Sequence, residues 1–364
     1  MPITSLKVAD FRNLAAVELA PYAHGLNLIC GKNGSGKTSL LEAIHYLGLG
    51  RSFRSHLSTP LIRQSADKFS LYAQVVSETE HLIPVGAERD QQGSSKLRVA
   101  GKDIASITEL AALLPILTIN SQSHQLLESG PAFRRRYLDW GLFYQTEGFL
   151  TCWRHYERAL KQRNVLLRER RLNNEIHVWT NELIKHGVLL DNMRREYVAQ
   201  LLPLILTIAA RLTDLSEIEM EYQSGWDNRD ELAVVFKRHE ADEMRLGHTL
   251  FGPHRADLDI KIQGVSAKHF LSRGQQKLLI CAMILAQGML LSTHKEQGLI
   301  YLVDDLPSEL DPVSRQKLIL LLKEQKTQVF ITAIESNLIY DPVNDKGAPI
   351  KVFHVEHGAY QTLT

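Results

Sequence analysis

The stretch Gly31-Lys-Asn-Gly-Ser-Gly-Lys-Thr38 carries the strongest structural signal in this chain of 364 residues. An apolar run from Leu26 to Cys30 precedes it, and apolar residues at helical spacing follow it from Leu40 to Leu47. This order predicts a strand, a glycine-rich turn and a helix. The turn fits the pattern G-x-x-x-x-G-K-[ST] of the phosphate-binding loop, or P-loop. The sequence therefore predicts a nucleotide-binding α/β domain.

The residue types in this turn have a chemical reason. Its glycines allow the backbone to curl, so that successive N–H groups face one point and form an anion nest. The following helix adds its positive N-terminal end. Lys37 is predicted to reach the β- and γ-phosphates of ATP, and the Thr38 hydroxyl to ligate Mg²⁺. The predicted ATP-binding residues are Gly31, Lys32, Asn33, Gly34, Ser35, Gly36, Lys37, Thr38 and Ser39.

The composition limits the class of protein. Hydrophobic residues make up 44% and charged residues 23% of the chain, which is typical of a soluble globular protein with two or three domains. The formal net charge of +1 gives no global argument for nucleic acid. Three widely separated cysteines, Cys30, Cys152 and Cys281, predict a reducing compartment and no structural zinc.

No segment has the pattern of a membrane span or a signal peptide. The N-terminus lacks a basic-then-apolar order. The most apolar run, Leu278 to Leu291, is too short to cross a bilayer and is predicted to form a buried helix. We therefore expect a cytoplasmic protein with no membrane partner, and an integral transporter subunit is excluded.

The type of secondary structure changes along the chain. Strands are predicted in residues 3–30, and an antiparallel meander in residues 69–104. The glycine-poor stretch from Pro131 to about Leu212 has apolar residues at helical spacing, which predicts an antiparallel helical hairpin or a small bundle. Strand signals return near Leu258. The predicted domains are 1–124 (N-terminal part of an ATPase head), 125–247 (inserted helical domain) and 248–364 (C-terminal part of the head).

An acidic pair completes the predicted site. The apolar strand from Leu299 to Val303 ends in Asp304-Asp305. Asp304 takes the position at which a Walker B aspartate holds Mg²⁺, so Thr38 and Asp304 are the predicted metal ligands. Asp305 is predicted to orient or deprotonate the attacking water, and Lys37 to act with it in catalysis.

The segment Leu271-Ser-Arg-Gly-Gln275 resembles the ABC ATPase signature L-S-G-G-Q. In ABC ATPases the signature of one subunit closes over the γ-phosphate held by the P-loop of another. The resemblance therefore implies a head-to-tail, ATP-sandwiched homodimer, although the same residues also fit a capped helix N-terminus. It further makes Asp311 a candidate for the D-loop and Gln122 a candidate for the catalytic Q-loop glutamine. The residues implied to act in trans are Ser272, Arg273, Gly274 and Gln275.

With these residues placed, the chain resembles the RecF family over essentially its whole length. The supporting motifs are Phe11-Arg-Asn13, Gly31 to Thr38, Gly50-Arg-Ser-Phe-Arg54, Gly130-Pro-Ala-Phe-Arg-Arg-Arg-Tyr-Leu-Asp139, Gly252-Pro-His-Arg255, Leu271 to Gln275 and Asp304-Asp-Leu-Pro-Ser-Glu-Leu-Asp311. The resemblance implies an ABC-type P-loop ATPase head, with a mixed sheet and an antiparallel meander, plus an inserted and mainly helical lobe. It also implies an ATP-dependent, DNA-binding protein of replication and recombinational repair, which acts with RecO and RecR to place RecA on gapped DNA.

Three positions depart from the family patterns. Asp305 replaces the glutamate common in ABC ATPases, and Thr332-Ala-Ile334 stands where many of them carry a histidine that contacts the γ-phosphate. Ala256-Asp257 stands where RecF proteins usually have two acids. The shorter acid and the missing histidine predict slow hydrolysis, which suits a switch and not a motor.

Positive charge gathers in the helical stretch. Between Arg134 and Arg171 there are ten basic and four acidic residues. The densest cluster, Arg134, Arg135 and Arg136, is predicted to contact DNA phosphates without reading the sequence. A solvated helical face is the alternative interpretation. Arg51 and Arg54 are candidates for contact with phosphate of either nucleotide or DNA.

Other functional classes stay open at this point. One is the soluble ATPase subunit of a transporter, against which the inserted helical domain and its positive charge argue. Another is a different ABC-type DNA-processing ATPase such as a nuclease, which needs an additional metal cluster; the sequence contains no H-E-x-x-H pattern. An ATP-independent scaffold is disfavoured by the complete phosphate-binding motifs.

Overall fold

The computed structural model describes residues 1–55, 59–77, 79–170, 174–294, 298–339, 349–356 and 358–363. In chain order, its strands are β1 (Ile3–Phe11), β2 (Leu14–Leu19), β3 (Gly25–Cys30), β4 (Lys68–Val76), β5 (Leu82–Asp90), β6 (Ser95–Val99), β7 (Lys102–Asp103), β8 (Ile116–Ile119), β9 (Ile218–Gln223), β10 (Asp257–Ile262), β11 (Val265–Ser266), β12 (Ile300–Val303), β13 (Gln328–Ala333), β14 (Ile350–Glu356) and β15 (Ala359–Leu363). Its α-helices are α1 (Lys37–Leu49), α2 (Ile107–Leu113), α3 (Gln125–Glu128), α4 (Pro131–Gln145), α5 (Phe149–Arg168), α6 (Asn174–Leu212), α7 (Leu232–Leu246), α8 (Ala267–Phe270), α9 (Arg273–His294), α10 (Leu306–Glu309) and α11 (Pro312–Glu324).

The chain divides into two compact units. The first consists of Met1–Ser123, Arg211–Thr213 and Lys277–Thr364, and the second of His124–Ala210 and Asp214–Gln276. Residues 248–276, which the sequence analysis assigned to the head, thus lie in the second unit. The reason is strand pairing, because β10 runs antiparallel to β9 from Asp257 opposite Gln223 to Ile262 opposite Ile218.

One sheet of the first unit is antiparallel. Its six described strands lie in the order β2-β1-β4-β5-β6-β7. Alternate residues of β4 are buried, beginning with Phe69 and Leu71, because successive side chains of a strand point to opposite faces. The predicted meander is therefore confirmed.

The other sheet of the first unit is mixed, and its strands lie in the order β15-β14-β3-β13-β12-β8. Strands β14, β3, β13, β12 and β8 are parallel, whereas β15 pairs antiparallel to β14. Strand β13 lies between β3, which leads into the P-loop, and β12, which leads into Asp304. The carboxyl ends of these strands share one edge, which is where open α/β sheets bind ligands. This topology positions the site described below.

The second unit is mainly helical. Helices α5 and α6 pack antiparallel, since Arg163 contacts Thr180 while Cys152, earlier on α5, contacts His186, later on α6. A buried ion pair joins α5 to α7, where Arg163 Nη2 lies 2.6 Å from Glu243 Oε2. The predicted helical hairpin is present, with the β9-β10-β11 sheet beside it in the same unit.

Helix α9 contains the most apolar segment of the described chain. Among the described residues, Arg273–Thr293 is long and apolar enough to cross a membrane, and 78% of its most apolar window is buried inside the protein. Core helices of globular proteins have the same properties. The buried helix predicted for Leu278 to Leu291 therefore lies where the sequence placed it.

Candidate nucleotide-binding site

The P-loop has the backbone that its glycines allow. Gly31, Gly34 and Gly36 have φ values of 154°, 80° and 118°, which residues with a Cβ rarely adopt. A Cβ on Gly31 would lie 2.2 Å from the carbonyl oxygen of Val355, and one on Gly36 would lie 2.6 Å from Leu14. The loop is thus held against its neighbours at both ends of the turn.

The side chain of Lys37 lies along the inside of this loop. Its Nζ donates to the carbonyl oxygens of Gly31 at 2.6 Å and Lys32 at 2.9 Å. Burial lowers the pKa of Lys37, and the carboxylates of Asp305 and Asp304 oppose that shift. The ammonium group is therefore close to both predicted acidic residues.

Asp304 is the centre of a hydrogen-bonded group. Its Oδ1 accepts from Thr38 Oγ1 at 2.9 Å and from Thr332 Oγ1 at 2.8 Å. Burial raises the pKa of Asp304, and the hydrogen bonds from Thr332 and Thr38 oppose the shift. Thr38 follows the P-loop, Asp304 follows β12 and Thr332 belongs to β13. The structure thus brings the two predicted Mg²⁺ ligands into direct contact.

Asp305 is held by its own turn and by β13. It has a left-handed backbone, with φ of 50°, and its N–H donates to Thr332 Oγ1 at 2.7 Å. Its Oδ2 accepts from Ser308 Oγ at 2.5 Å. Thr332, which stands where many ABC ATPases carry a histidine, therefore contacts both aspartates. This role was missed because it depends on the order of strands in the sheet.

Two arginines enter the cleft above the P-loop. The cleft has a volume of about 600 Å³, and Arg12, Lys37, Thr38, Arg54 and Asp305 are among the residues that line it. Its cations outnumber its acidic groups, which suits an anionic ligand. Of the two uses that the sequence left open for Arg54, its position favours the nucleotide over DNA.

A buried carboxylate lies beside both arginines and holds Arg12 by hydrogen bonds. Glu42 is fully buried on α1 and accepts from Arg12 Nε at 3.0 Å and Arg12 Nη2 at 2.7 Å. It also accepts from Ser52 Oγ, and Arg54 Nη1 lies 3.9 Å from its Oε2. Asn13 adds a further link, donating to the carbonyl oxygen of Gly34 at 3.0 Å. The motif Phe11-Arg-Asn13 thus has two contacts, Arg12 with Glu42 and Asn13 with the P-loop, that its sequence alone does not indicate.

The polar groups in and beside the cleft are suited to bind ATP with Mg²⁺. Ser35 Oγ is buried and has no hydrogen-bond partner among the described residues, so it is free to donate to a ligand. A threonine hydroxyl beside a carboxylate, Thr38 and Asp304, is the ligand type that Mg²⁺ takes in P-loop proteins.

The signature segment caps helix α9. Ser272 Oγ accepts from the Gln275 N–H at 3.3 Å, and Gln275 Oε1 accepts from the Ser272 N–H at 3.0 Å. This reciprocal pair is a capping box. Ser272, Arg273, Gly274 and Gln275 are all exposed. The motif thus has a structural role within the chain and an open surface at the start of a long helix.

Two other sequence candidates have local roles. Asp311 caps α11, since its side chain accepts from the N–H groups of Val313 and Ser314. Gln122 lies in the turn after β8, and its N–H donates to Asn120 Oδ1 at 2.9 Å. Gln122 is not among the described residues that line the cleft. The structure therefore leaves the catalytic role of Gln122 a prediction.

The predicted DNA contacts differ from one another in their surroundings. Arg134 is largely engaged, because its guanidinium forms two hydrogen bonds with Asp257, at 2.6 and 2.9 Å. Arg135 is half-buried and donates to the carbonyl oxygen of Ala256 at 2.8 Å. Arg136 is exposed over the ring of Phe133. Of the three, Arg136 is the most accessible to a phosphate.

Comparison with known proteins identifies the family of this chain. A family described as "RecF/RecN/SMC N terminal domain" matches residues 2–361. The DNA replication and repair protein RecF of Shewanella denitrificans is 43% identical over 358 residues, which cover 98% of each chain. The chain belongs to the RecF family. A second member of the RecF family, from Shewanella woodyi, is 40% identical over 363 residues and covers 100% of this chain and 98% of its own. The resemblance predicted from the motifs is therefore confirmed.

Solved structures agree on the fold. Structures of the recombination mediator protein RecF in the RecFOR pathway, described as RecF-ATP and RecF-ATPrS, match with TM-scores of 0.86 and 0.85. Their sequences are 24% and 23% identical to this chain. Each match covers 100% of this chain, and it covers 98% of the RecF-ATP chain and 99% of the RecF-ATPrS chain. An Smc head domain derived from Pyrococcus furiosus matches at 16% identity with a TM-score of 0.63, covering 100% of this chain and 96% of its own. The predicted α/β head of the ABC type is thus the fold observed.

Proposed function

We propose that this protein is an ATP-gated DNA clamp of replication and recombinational repair. ATP and Mg²⁺ join two copies head to tail, and the dimer binds gapped DNA at junctions of single and double strands. It acts in the cytoplasm with RecO and RecR to promote loading of RecA. The observation that carries the proposal is the hydrogen bond from Thr38 to Asp304 beside the cationic cleft that Lys37 and Thr38 line. Family membership supports the role in repair.

Different residues of the site would bind different parts of ATP·Mg²⁺. The P-loop amides and Lys37 would hold the phosphates, while Thr38 and Asp304 would hold Mg²⁺. When bound, ATP·Mg²⁺ supplies the phosphates that the exposed signature of a second subunit would contact. Arg12, which Glu42 holds by two hydrogen bonds, and Arg54, 3.9 Å from the same carboxylate, add positive charge to the cleft.

Slow hydrolysis follows from the surroundings of Asp305. Its carboxylate accepts a hydrogen bond from Ser308 in its own turn, and its side chain is shorter than that of glutamate. Both features weaken its reach to an attacking water. We expect a turnover number below about 10 s⁻¹, the median for enzymes, in a single-turnover or coupled ATPase assay. A faster enzyme would contradict the role of a switch.

A mixing experiment tests the dimer directly. Lys37→Met removes the P-loop cation, and Ser272→Arg blocks the signature. Each variant alone has two incomplete composite sites, and it should neither dimerise with ATP nor hydrolyse it. A mixture forms heterodimers in which the P-loop of one subunit and the signature of the other are both intact. Partial recovery of ATP-dependent sedimentation as a dimer is expected, and no recovery would contradict the head-to-tail arrangement.

A further inference from the structure

Two hairpin turns contact the P-loop, one from each sheet of the first unit. The turn of residues 12 and 13 joins β1 to β2 in the antiparallel sheet, and a turn that contains Gly358 joins β14 to β15 in the mixed sheet. We call them the Asn13 turn and the Gly358 turn. They lie against each other, because a Cβ on Gly358 would be only 2.6 Å from the carbonyl oxygen of Asn13.

The Asn13 turn links the middle of the P-loop to the helix that follows it. Asn13 Nδ2 donates to the carbonyl oxygen of Gly34 at 3.0 Å, and Asn13 Oδ1 accepts from Ser39 Oγ at 2.8 Å. Asparagine is suited to this position because its side-chain amide both donates and accepts hydrogen bonds. One side chain therefore joins the glycine-rich turn to the first turn of α1.

The Gly358 turn contacts a neighbouring peptide unit of the P-loop. The N–H of Gly358 donates to the carbonyl oxygen of Ser35 at 3.2 Å. That carbonyl shares a peptide unit with the N–H of Gly36, and in a trans peptide the two groups point in opposite directions. The bond from Gly358 therefore directs the N–H of Gly36 away from the turn. Gly36 lines the nucleotide cleft, so its N–H is one of those that can face a phosphate.

Each hairpin also approaches the P-loop closely at a second place. Gly31 lies against Val355 of β14, and Gly36 lies against Leu14 of β2, where an added Cβ would overlap in both cases. A loop held at several points is ordered before its ligand arrives. Binding to an ordered loop is tighter, because less conformational entropy is lost in the process.

Both turns have left-handed backbone. Arg12 has a φ of 57° although it carries a Cβ, and Gly358 has a φ of 74°. Strained backbone at a residue other than glycine persists where the surrounding structure holds it, and it is common where ligands are clamped. Glycine at position 358 avoids this strain and leaves room for the carbonyl of Asn13. The conformation of both turns thus allows their close approach to each other.

We infer that Asn13 and Gly358 are positioning residues for nucleotide binding, and that the C-terminal hairpin β14–β15 is part of the nucleotide-binding apparatus. The two turns hold the P-loop backbone in the conformation whose N–H groups bind phosphate. This inference rests on the proposed function and adds to it a hairpin that contributes none of the described residues lining the cleft. An effect of Gly358 on ATP therefore has to pass through the P-loop.

The test compares two glycine variants of the full-length protein. Gly358→Ala forces the Gly358 turn away from Asn13. Gly101→Ala is the matched control, because Gly101 lies in the turn between β6 and β7 with a φ of 79° and an added Cβ there meets no atom within 4 Å. Both variants acquire similar backbone strain, but only Gly358 contacts the P-loop. Asn13→Ala is a second variant in case Gly358→Ala does not fold, and circular dichroism melting reports the stability of all three.

Isothermal titration calorimetry with ATP·Mg²⁺ and steady-state ATPase assays give the Kd, KM and kcat. Gly358→Ala and Asn13→Ala are each expected to raise Kd and KM about tenfold, or about 1.4 kcal/mol, which is in the range of one lost hydrogen bond. The kcat should stay at the wild-type value, because bound phosphates order the loop once ATP is in place. Inorganic tripolyphosphate should bind more weakly by the same factor, since it has the phosphates of ATP without the nucleoside. Gly101→Ala should keep the wild-type Kd.

Several results overturn the inference. A lower melting temperature with unchanged Kd and KM in Gly358→Ala and Asn13→Ala shows that the turns only stabilise the fold. Equal weakening in Gly101→Ala, a change confined to kcat, or weaker binding of ATP but not of tripolyphosphate also contradicts positioning of the P-loop. If the wild-type protein binds no ATP, the proposed function itself fails, and that result is distinct from wild-type binding that the variants retain.

Discussion

Thr38 and Asp304 are 266 residues apart in the chain, yet Thr38 Oγ1 donates a hydrogen bond to Asp304 Oδ1 at 2.9 Å. Thr332 completes the arrangement by donating to the same oxygen. Three separate segments of the first unit therefore converge on one carboxylate. This convergence supports the proposed Mg²⁺–nucleotide site, because a glycine-rich turn alone would not require it.

Asp304→Asn tests that site. The amide oxygen can still accept from Thr38 and Thr332, but it has no charge with which to hold Mg²⁺. We expect ATP affinity in Mg²⁺ to fall at least tenfold, or about 1.4 kcal/mol, by isothermal titration calorimetry. Affinities of the variant and the wild type should converge in EDTA. Unchanged affinity in Mg²⁺ would remove Asp304 from the metal site.

Without nucleotide, Asp304→Asn should be at least as stable as the wild-type protein. Burial raises the pKa of Asp304 in the folded protein. A raised pKa means that its stabilising contribution is present below the unfolded pKa and is lost as the pH rises through the folded value. At neutral pH the ionised carboxylate therefore costs stability, and Asp304→Asn should raise the melting temperature of the nucleotide-free protein. A lower melting temperature would indicate a structural role instead.

Two buried histidines predict sensitivity to acid. Burial lowers the pKa of His45 and of His254 from 6.5 to about 4. A lowered pKa means that stability is present above pH 6.5 and is lost as the pH falls toward 4. Each histidine contributes up to about 3 kcal/mol over this range. His45→Gln should reduce the loss of unfolding free energy between pH 7 and pH 5, measured in urea, whereas the same change at exposed His81 should not.

Glu42 is predicted to be a major determinant of stability in the head. It is fully buried and accepts two hydrogen bonds from Arg12. Glu42→Ala leaves that guanidinium without its partner, and the expected cost is about 3–5 kcal/mol of unfolding free energy. Glu18→Ala removes an exposed pair with Lys7 in the same unit and should change stability by less than about 1 kcal/mol. Similar losses in the two variants would contradict the account.

Alanine substitutions in the P-loop separate backbone strain from steric overlap. A Cβ on Gly34 meets no atom within 4 Å, so Gly34→Ala should cost only the strain of its left-handed backbone, about 1–2 kcal/mol. A Cβ on Gly31 would overlap the carbonyl oxygen of Val355. Gly31→Ala should therefore be clearly less stable than Gly34→Ala in urea unfolding. The reverse order would show that the loop does not pack as described.

The sequence was sufficient for the elements that have strong local patterns. The P-loop strand and helix, the strand ending in Asp304 and the long apolar helix α9 all lie where their residue patterns predict them. The pairing of Thr38 with Asp304 could be expected because both belong to motifs with known metal roles. These features depend on residues close together in the chain, or on motifs whose chemistry is fixed.

Features that depend on tertiary pairing were not predicted. The roles of Thr332 and Glu42 follow from the order of strands and from the position of Arg12 above α1, neither of which has a local pattern. A count of charges along the chain could not show that Arg134 pairs with Asp257, 123 residues away. Residues 248–276 were assigned to the head since β10 resembles any exposed strand until its pairing with β9 is known.

The most direct test of the account measures whether ATP controls DNA binding. Fluorescence anisotropy of a gapped duplex would be recorded with wild type and Lys37→Met, each with ATP·Mg²⁺ and with ADP·Mg²⁺, while sedimentation reports the oligomeric state. We predict that wild type with ATP dimerises and binds at least tenfold more tightly than the other three combinations. Equal affinity in all four, with or without a dimer, would contradict an ATP-gated clamp.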